Sequence, residues 1–295
     1  MPELPEVETV RQGVAPVMEG RRLLACTLRR PDLRWPIPPD LVQMVTGKTC
    51  ATVERRAKYL LIRFATGSVS GTVSGPVLLL HLGMSGSLTV APLQDHPPPR
   101  THDHVLFDFA GPDPARAESG ATRVTFHDPR RFGSLDLADA QTLPAHPRLQ
   151  GLGPEPFDED SLTPERFLAR CEGKRTSLKA LLLDQRVIAG LGNIYVCESL
   201  FRAKLSPLRQ AGSLTKTEAK RLLKAVRTVL QEAIDSGGSS LRDHRQSDGT
   251  LGYFQHRFQV YDHAGEPCPR CGTAEEIERI VQNGRSTFYC NACQL

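Results

Sequence analysis

The sequence predicts a multidomain α+β protein: an N-terminal helix with a β-sandwich, then a helical domain, then a C-terminal zinc ribbon. Three observations carry this. Short apolar runs broken by turns fill about 21–135, helical spacing takes over beyond about 161, and two C-x2-C pairs crowd the C-terminus. At 295 residues the chain exceeds the usual size of one compact domain, so more than one core is expected.

The N-terminal element is a helix over 4–18. Pro5 suits its first position, and Glu6 and Glu8 sit where the helix dipole favours negative charge. Strands follow at "YLLIRF", "VLLLHLGM", "HVLFDF" and "RVTFHD", apolar runs of strand length bounded by turn residues. The low-complexity stretches 65–75 and 110–121 read as extended hairpin loops, and the Pro-rich 91–100 as another loop. These bound a domain at 1–135, with a Pro/Gly-rich linker over 136–160.

Helices then dominate 161–262. Thr163-Pro164 is a start signal and Gly173 a stop. "SLKALLLDQ" and "NIYVCESLFRAKL" carry helical spacing on either side of "AGLGN". A helix over 216–235 opens with a Thr215/Glu218 capping box, buries Leu222, Leu223, Val226, Leu230 and Ala233, and stops at Gly237-Gly238.

The last segment, 263–295, holds Cys268, Cys271, Cys290 and Cys293, a spacing that calls for one structural Zn2+ on four thiolates. Four cysteines leave no open coordination position, so this zinc is not a catalyst. Between the knuckles, two strands meet at Asn283-Gly284, a favoured hairpin turn, with Arg285 beside its tip. Cys26, Cys50, Cys171 and Cys197 are scattered and read as small apolar core residues of a reducing compartment.

The net charge of +4 and pI near 8.7 permit a polyanionic partner without demanding one. The apolar "VLLL" of 77–80 falls far short of the ~20 residues that cross a bilayer. The start carries no charged-then-apolar signal, so the expected compartment is the cytosol, with no membrane partner.

The opening "MPELPEVETV" admits two readings. One is a well-capped helix start. In the other, removal of Met1 leaves Pro2 with a free secondary amine. An α-amine with a pKa near 8 is roughly a tenth neutral at pH 7, against well under a thousandth for a lysine, and only the neutral amine attacks carbon. A secondary amine also forms an iminium with a sugar carbon, an electron sink. Glu3 beside it is placed to move a proton.

Seven segments then fall in order: "PELPEVETV", "RRAKYLL", "HLGMSGSL", "HDPRRFG", "GLGNIYVCESLF", "SDGTLGYFQ" and the cysteine ribbon. In this order the chain resembles the bacterial formamidopyrimidine-DNA glycosylases, which act on 8-oxoguanine. The resemblance implies a helix-two-turns-helix module after the β-sandwich and double-stranded DNA with oxidised bases or abasic sites as partner. It also implies a monomer associated with the bacterial nucleoid, with DNA in a cleft between domains.

Roles follow where motifs match. Pro2 is implied as the nucleophile at C1′, Glu3 as its acid/base partner and Glu6 as a supporting carboxylate. Lys58 is implied in proton transfer and phosphate contact, and Arg285 in δ-elimination. Met84, Arg130 and Phe132 correspond to a trio that fills the void left by an extruded base, a task that suits a thioether, an arginine and an aromatic wedge. His102, Lys174, Lys179, Asn193 and Tyr261 correspond to DNA contacts, Asn193 through a phosphate at its helix N-terminus. "HDH" at 102–104 also admits a metal pair, although a strand start suits it better. The loop of about 237–252 resembles a lesion-capping loop, while 65–75 and 110–121 depart from the family pattern.

Two rivals stay open from sequence. One is a zinc-containing binder of damaged DNA without catalysis; the other is an endonuclease VIII-like glycosylase for oxidised pyrimidines.

Overall fold

A computed structural model describes residues 2–65, 75–95, 98–239 and 252–295 of the chain. It divides into two compact units, Met1–Gln150 with Gly237–Gly252, and Gly151–Ser236 with Tyr253–Leu295.

The first unit opens with helix α1 (Leu4–Met18). Its N-cap is Glu3, so Pro5 is the second helical residue rather than the first. A proline is harmless there, because the first four N–H groups of a helix have no intrahelical acceptor in any case. Val7, Val10, Val14 and Met18 recur at helical spacing and are fully or almost fully buried.

Two four-stranded antiparallel sheets receive that face. One runs in the order β1 (Leu23–Leu28), β6 (Asp103–Phe109), β7 (Thr122–His127), β5 (Ser87–Pro92). The other runs β2 (Thr49–Arg56), β3 (Tyr59–Ala65), β4 (Pro76–His81), β8 (Ser134–Asp139). A short helix, α2 (Leu41–Val45), lies between β1 and β2 in sequence. The core joins α1 to both sheets through Leu60, Ile62, Leu78 and Leu80 from one and Val105, Phe107, Val124 and Phe126 from the other. This is the expected sandwich.

The differences from the sequence reading are local. The run "VLLLHLGM" is strand only as far as His81, because the Gly86 N–H turns back to the Leu82 carbonyl at 2.9 Å. Conversely, Ala91 and Pro92 of the expected 91–100 loop still pair with β7, Pro92 opposite Thr122. Strand β5 is a sheet edge, where a proline's missing donor faces outward. The 110–121 connector does join the antiparallel neighbours β6 and β7. Residues 66–74 of the other connector and 240–251 of the expected capping loop lie outside the described residues.

In the second unit, α3 (Pro164–Cys171) starts on a Thr163 cap whose hydroxyl accepts the Arg166 N–H. Helices α4 (Leu178–Leu183), α5 (Asn193–Arg202) and α6 (Lys216–Asp235) follow. The α6 capping box between Thr215 and Glu218 forms as expected, and Arg209 beside Glu218 holds its carboxyl down to about 2. Strands β9 (Pro267–Cys268) and β10 (Gly272–Glu276) form one small sheet. The hairpin β11 (Glu278–Gln282) and β12 (Arg285–Tyr289) forms the other. Asn283 and Gly284 at its turn both take positive φ, 50° and 72°, as that tight turn requires. Among the described residues no helix is long and apolar enough to cross a membrane.

Candidate active site and nucleic-acid interface

The N-terminus is placed by α1 and aimed by its side-chain contacts with β2. Glu8 accepts from Arg55 at 3.1 Å, Arg11 reaches the Val53 carbonyl at 3.5 Å, and Gly20 donates to the Cys50 carbonyl at 2.8 Å. The helix therefore runs antiparallel to β2, with Pro2 and Glu3 toward the turn that follows Arg56. That turn consists of Ala57 and Lys58, since Arg56 pairs with Tyr59. Ala57 sits at φ 54°, a left-handed conformation that costs a non-glycine residue energy and holds only where the surroundings fix it.

Pro2 is buried, as are Glu3 at 4%, Glu6 at 2% and Lys58 at 6% exposure. Glu6 is a junction. One of its oxygens accepts the Glu3 backbone N–H at 2.8 Å; the other accepts the Ser239 N–H at 2.9 Å and hydroxyl at 2.8 Å. A buried carboxylate with three donors is well solvated by the protein itself. The sequence reading placed Glu6 in support but missed Ser239, whose partner lies 233 positions away.

His81, at the end of β4, was also missed. Burial pushes its imidazole down to about 4, with the positive charges of Lys58, Arg34 and Arg148 adding to the effect. It is therefore neutral near pH 7, and its Nδ1 accepts the Gly83 N–H at 2.9 Å, fixing the start of the Met84 loop. A histidine heading "HLGMSGSL" was the available signal.

Met84 is half-buried, whereas Arg130, Arg131 and Phe132 are exposed on the β7–β8 connection, Phe132 at 43%. The Arg130 guanidinium stacks over the Phe132 ring at 4.8 Å. A cavity of about 420 Å³ is lined there by Asp32, Leu33, Arg34, Arg130, Arg131 and Phe132. Nearby in sequence, Arg34 and Arg148 both lie over the exposed Trp35 ring, at 5.6 and 5.4 Å. Basic groups interleaved with aromatic faces suit a nucleic-acid backbone and its bases.

His102 is exposed just before β6. Asp103 begins the strand, accepting the Arg100 N–H at 2.7 Å and pairing with His127 at 2.8 Å. With β6 beginning at Asp103, "HDH" is a strand start; among the described residues, the four C-terminal cysteines form the one cluster of three or more metal-ligating side chains.

In the second unit, Lys174 is exposed and Tyr261 half-buried against Phe258 and Phe288. The stretch bearing Tyr261 is anchored by Glu198, a fully buried acid on α5 that accepts the backbone N–H groups of Gln259, Val260 and Tyr261 at 2.9–3.0 Å. Burial raises the Glu198 carboxyl while those donors pull it down. Its signal was an acid on the same helical face as Ile194 and Phe201.

Lys179, expected to contact DNA, has partners within the protein. It is 1% exposed, and its ammonium donates to the Ser286 carbonyl at 2.8 Å and the Thr287 hydroxyl at 2.7 Å. Asn193 has one too. Gly192 is the N-cap of α5, and the Asn193 amide donates to the same Ser286 carbonyl at 2.9 Å. Both side chains thus grip the backbone next to Arg285, which stays exposed at the hairpin tip.

The four sulfurs lie within 4.8 Å of one another, with Cys268–Cys293 at 3.9 Å and Cys271–Cys290 at 3.8 Å. A tetrahedron of zinc–sulfur bonds about 2.3 Å long has edges of about 3.8 Å, so the residues fit one Zn2+. Arg270 donates toward the Cys293 sulfur at 3.5 Å and stacks over Phe201 at 4.2 Å. By contrast, burial pushes the thiols of Cys26 and Cys50 up to about 12 and that of Cys171 to about 11, as suits inert core residues.

Known sequences and structures align along the whole chain. The sequence models of the formamidopyrimidine-DNA glycosylase N-terminal domain, of its H2TH domain, and of the zinc finger found in FPG and IleRS match residues 1–135, 152–245 and 265–295. A formamidopyrimidine-DNA glycosylase of Rhodospirillum rubrum is 55% identical over 298 residues, and one of Rhodopseudomonas palustris 52% over 310, each covering all of both chains. Among solved structures, Lactococcus lactis Fpg in complex with abasic-site DNA is 32% identical with a TM-score of 0.84. A mutant of that protein with Fapy-dG-containing DNA gives 0.85; in both cases 99% of each chain is covered. With half of all positions shared from end to end and the same order of domains, the chain belongs to the formamidopyrimidine-DNA glycosylase family.

Proposed function

We propose that this chain is a bifunctional DNA glycosylase/AP lyase of base excision repair. It excises oxidised purines, 8-oxoguanine and formamidopyrimidines, and then cleaves the strand by β,δ-elimination. The observation that carries the reading is the Glu6 carboxylate holding the Glu3 N–H, which fixes the chain where Pro2 meets α1.

With Met1 removed, the neutral Pro2 amine attacks C1′ of the damaged nucleotide. The C1′–N bond breaks with its electron pair leaving on the base, which takes up a proton. Glu3 supplies and relays protons as the sugar ring opens to an iminium on Pro2. The iminium acidifies C2′; loss of that proton expels the 3′ phosphate, and a second elimination expels the 5′ phosphate. Hydrolysis then frees Pro2. Lys58 serves proton transfer and a phosphate, and Arg285 serves the δ step. Met84, Arg130 and Phe132 occupy the space of the extruded base, with His102, Lys174, Asn193 and Tyr261 on the duplex. Lys179 acts through the hairpin it holds rather than by direct contact. The zinc shapes that hairpin and takes no part in the chemistry. The protein works in the cytosol on the nucleoid.

Borohydride reduction during turnover of an 8-oxoguanine duplex should yield a covalent protein–DNA adduct mapping to Pro2. An adduct mapping only to a lysine overturns the nucleophile. Preference for an oxidised-pyrimidine duplex, run in parallel, overturns the substrate class. Binding without any adduct favours the non-catalytic rival.

A further inference from the structure

The loops bearing Met84 and Arg130–Phe132 belong to different strand connections, yet one buried pair ties them together. Asp128 is 0% and Ser85 5% exposed. The Ser85 hydroxyl donates to one Asp128 carboxylate oxygen at 2.6 Å and accepts the Arg130 N–H at 3.2 Å. The other carboxylate oxygen accepts the Gly133 N–H at 2.8 Å. The Asp128 carbonyl takes the Arg131 N–H at 3.2 Å and His104 Nε2 at 2.9 Å. One aspartate therefore fixes both ends of the exposed Arg130-Arg131-Phe132 segment and, through Ser85, the residue following Met84.

The backbones also touch. A Cβ on Gly83 would fall 2.3 Å from the Phe132 carbonyl carbon, and Gly83 has φ +68°, so no side chain fits between the loops. Arg131, at φ 55°, is held in a left-handed turn that a non-glycine residue leaves unless its surroundings hold it.

We infer that Ser85 and Asp128 are positioning residues that lock the Met84 and Arg130–Phe132 loops into one rigid wedge, which extrudes the damaged base as a unit. This rests on the glycosylase reading above. A wedge made of two independent loops loses its stacking contacts to thermal motion, whereas one held by a buried carboxylate pays that ordering cost on folding.

The test uses Ser85→Ala, Ser85→Thr and Asp128→Asn in the full-length, zinc-loaded protein. Two rates are compared: single-turnover excision of 8-oxoguanine from duplex DNA, and strand cleavage at a preformed abasic site. A 2-aminopurine next to the lesion reports unstacking. Losing both hydrogen bonds of the Ser85 hydroxyl should slow unstacking and excision at least about tenfold in Ser85→Ala. Cleavage of the abasic duplex should change less, and Ser85→Thr, which keeps the hydroxyl, should restore excision. Asp128→Asn should show the same split. Equal loss of both rates, or an unchanged 2-aminopurine signal with folded variants, overturns the latch. A wild-type protein that releases no base would instead defeat the glycosylase reading itself.

Discussion

Glu6 and Ser239 meet through two hydrogen bonds to a single carboxylate oxygen, while the other oxygen of Glu6 holds the Glu3 N–H. The start of the chain and the stretch after α6 therefore share one buried acceptor. Glu6→Gln cannot satisfy both sides, because one end of the amide is a donor and must face a backbone N–H. Leaving a buried donor unpaired costs roughly 1–3 kcal/mol, which, falling on the reactive arrangement, slows single-turnover excision by about 5- to 150-fold. Ser239→Ala keeps the backbone donor and should cost less. An unchanged excision rate in Glu6→Gln would remove Glu6 from the site.

Lys179 offers a sharper separation of roles. Lys179→Met keeps the apolar stem and removes the ammonium that grips Ser286 and Thr287 next to Arg285. Asn193 still holds the Ser286 carbonyl, so the hairpin should loosen without unfolding. The expected result is a cleavage mixture shifted from δ-elimination toward β-elimination product, with borohydride trapping retained. If the product ratio stays constant while affinity falls, Lys179 works as a plain DNA contact.

These two cases show where sequence was informative. Elements whose cause is local were legible: α1 from its early proline and acids, α6 from its capping box and apolar face, the hairpin turn from Asn283-Gly284, and the zinc cluster from its spacing. Strands β1, β2, β5 and β8 were not singled out, because mixed polar and apolar runs such as "TCATVERR" gain their strand state from neighbours in the sheet. The long-range polar contacts were illegible for the same reason. Nothing near Lys179 announces that its partner is Ser286, 107 positions on, and a buried lysine carries the same letter as a phosphate-binding one. Motif position nominated the residue; only packing separates contact from support.

The zinc ribbon shares a core with α5: Cys268, Cys290 and Phe288 pack with Cys197, Phe201 and Val260. Chelation should therefore do more than free the hairpin. DNA affinity, followed by fluorescence anisotropy at fixed salt, is expected to fall at least about tenfold, since the hairpin bearing Arg285 and the core it shares with α5 lose their support together. Thermal stability should drop in the same samples, and adding Zn2+ back should restore both. A chelated protein with full affinity would show that the ribbon does not organise the interface.

His81 gives a pH dependence with a definite sign. An unfolded histidine titrates near 6.5, whereas burial, helped by Lys58, Arg34 and Arg148, holds folded His81 down to about 4. Above about pH 6.5 the ring is neutral in both states and contributes no slope. Between about 6.5 and 4 the unfolded chain takes up a proton that the folded one refuses, so stability falls as pH is lowered through that window and levels off beneath it. Carboxylates also titrate there, so the informative quantity is a difference between proteins. His81→Asn keeps an acceptor for the Gly83 N–H but cannot protonate. Urea unfolding midpoints measured from about pH 7 to pH 4 should fall less steeply in this variant than in the wild type. Parallel curves would mean that folded His81 protonates as readily as an exposed ring, and the neutral acceptor that fixes the Met84 loop would then be lost at mildly acid pH.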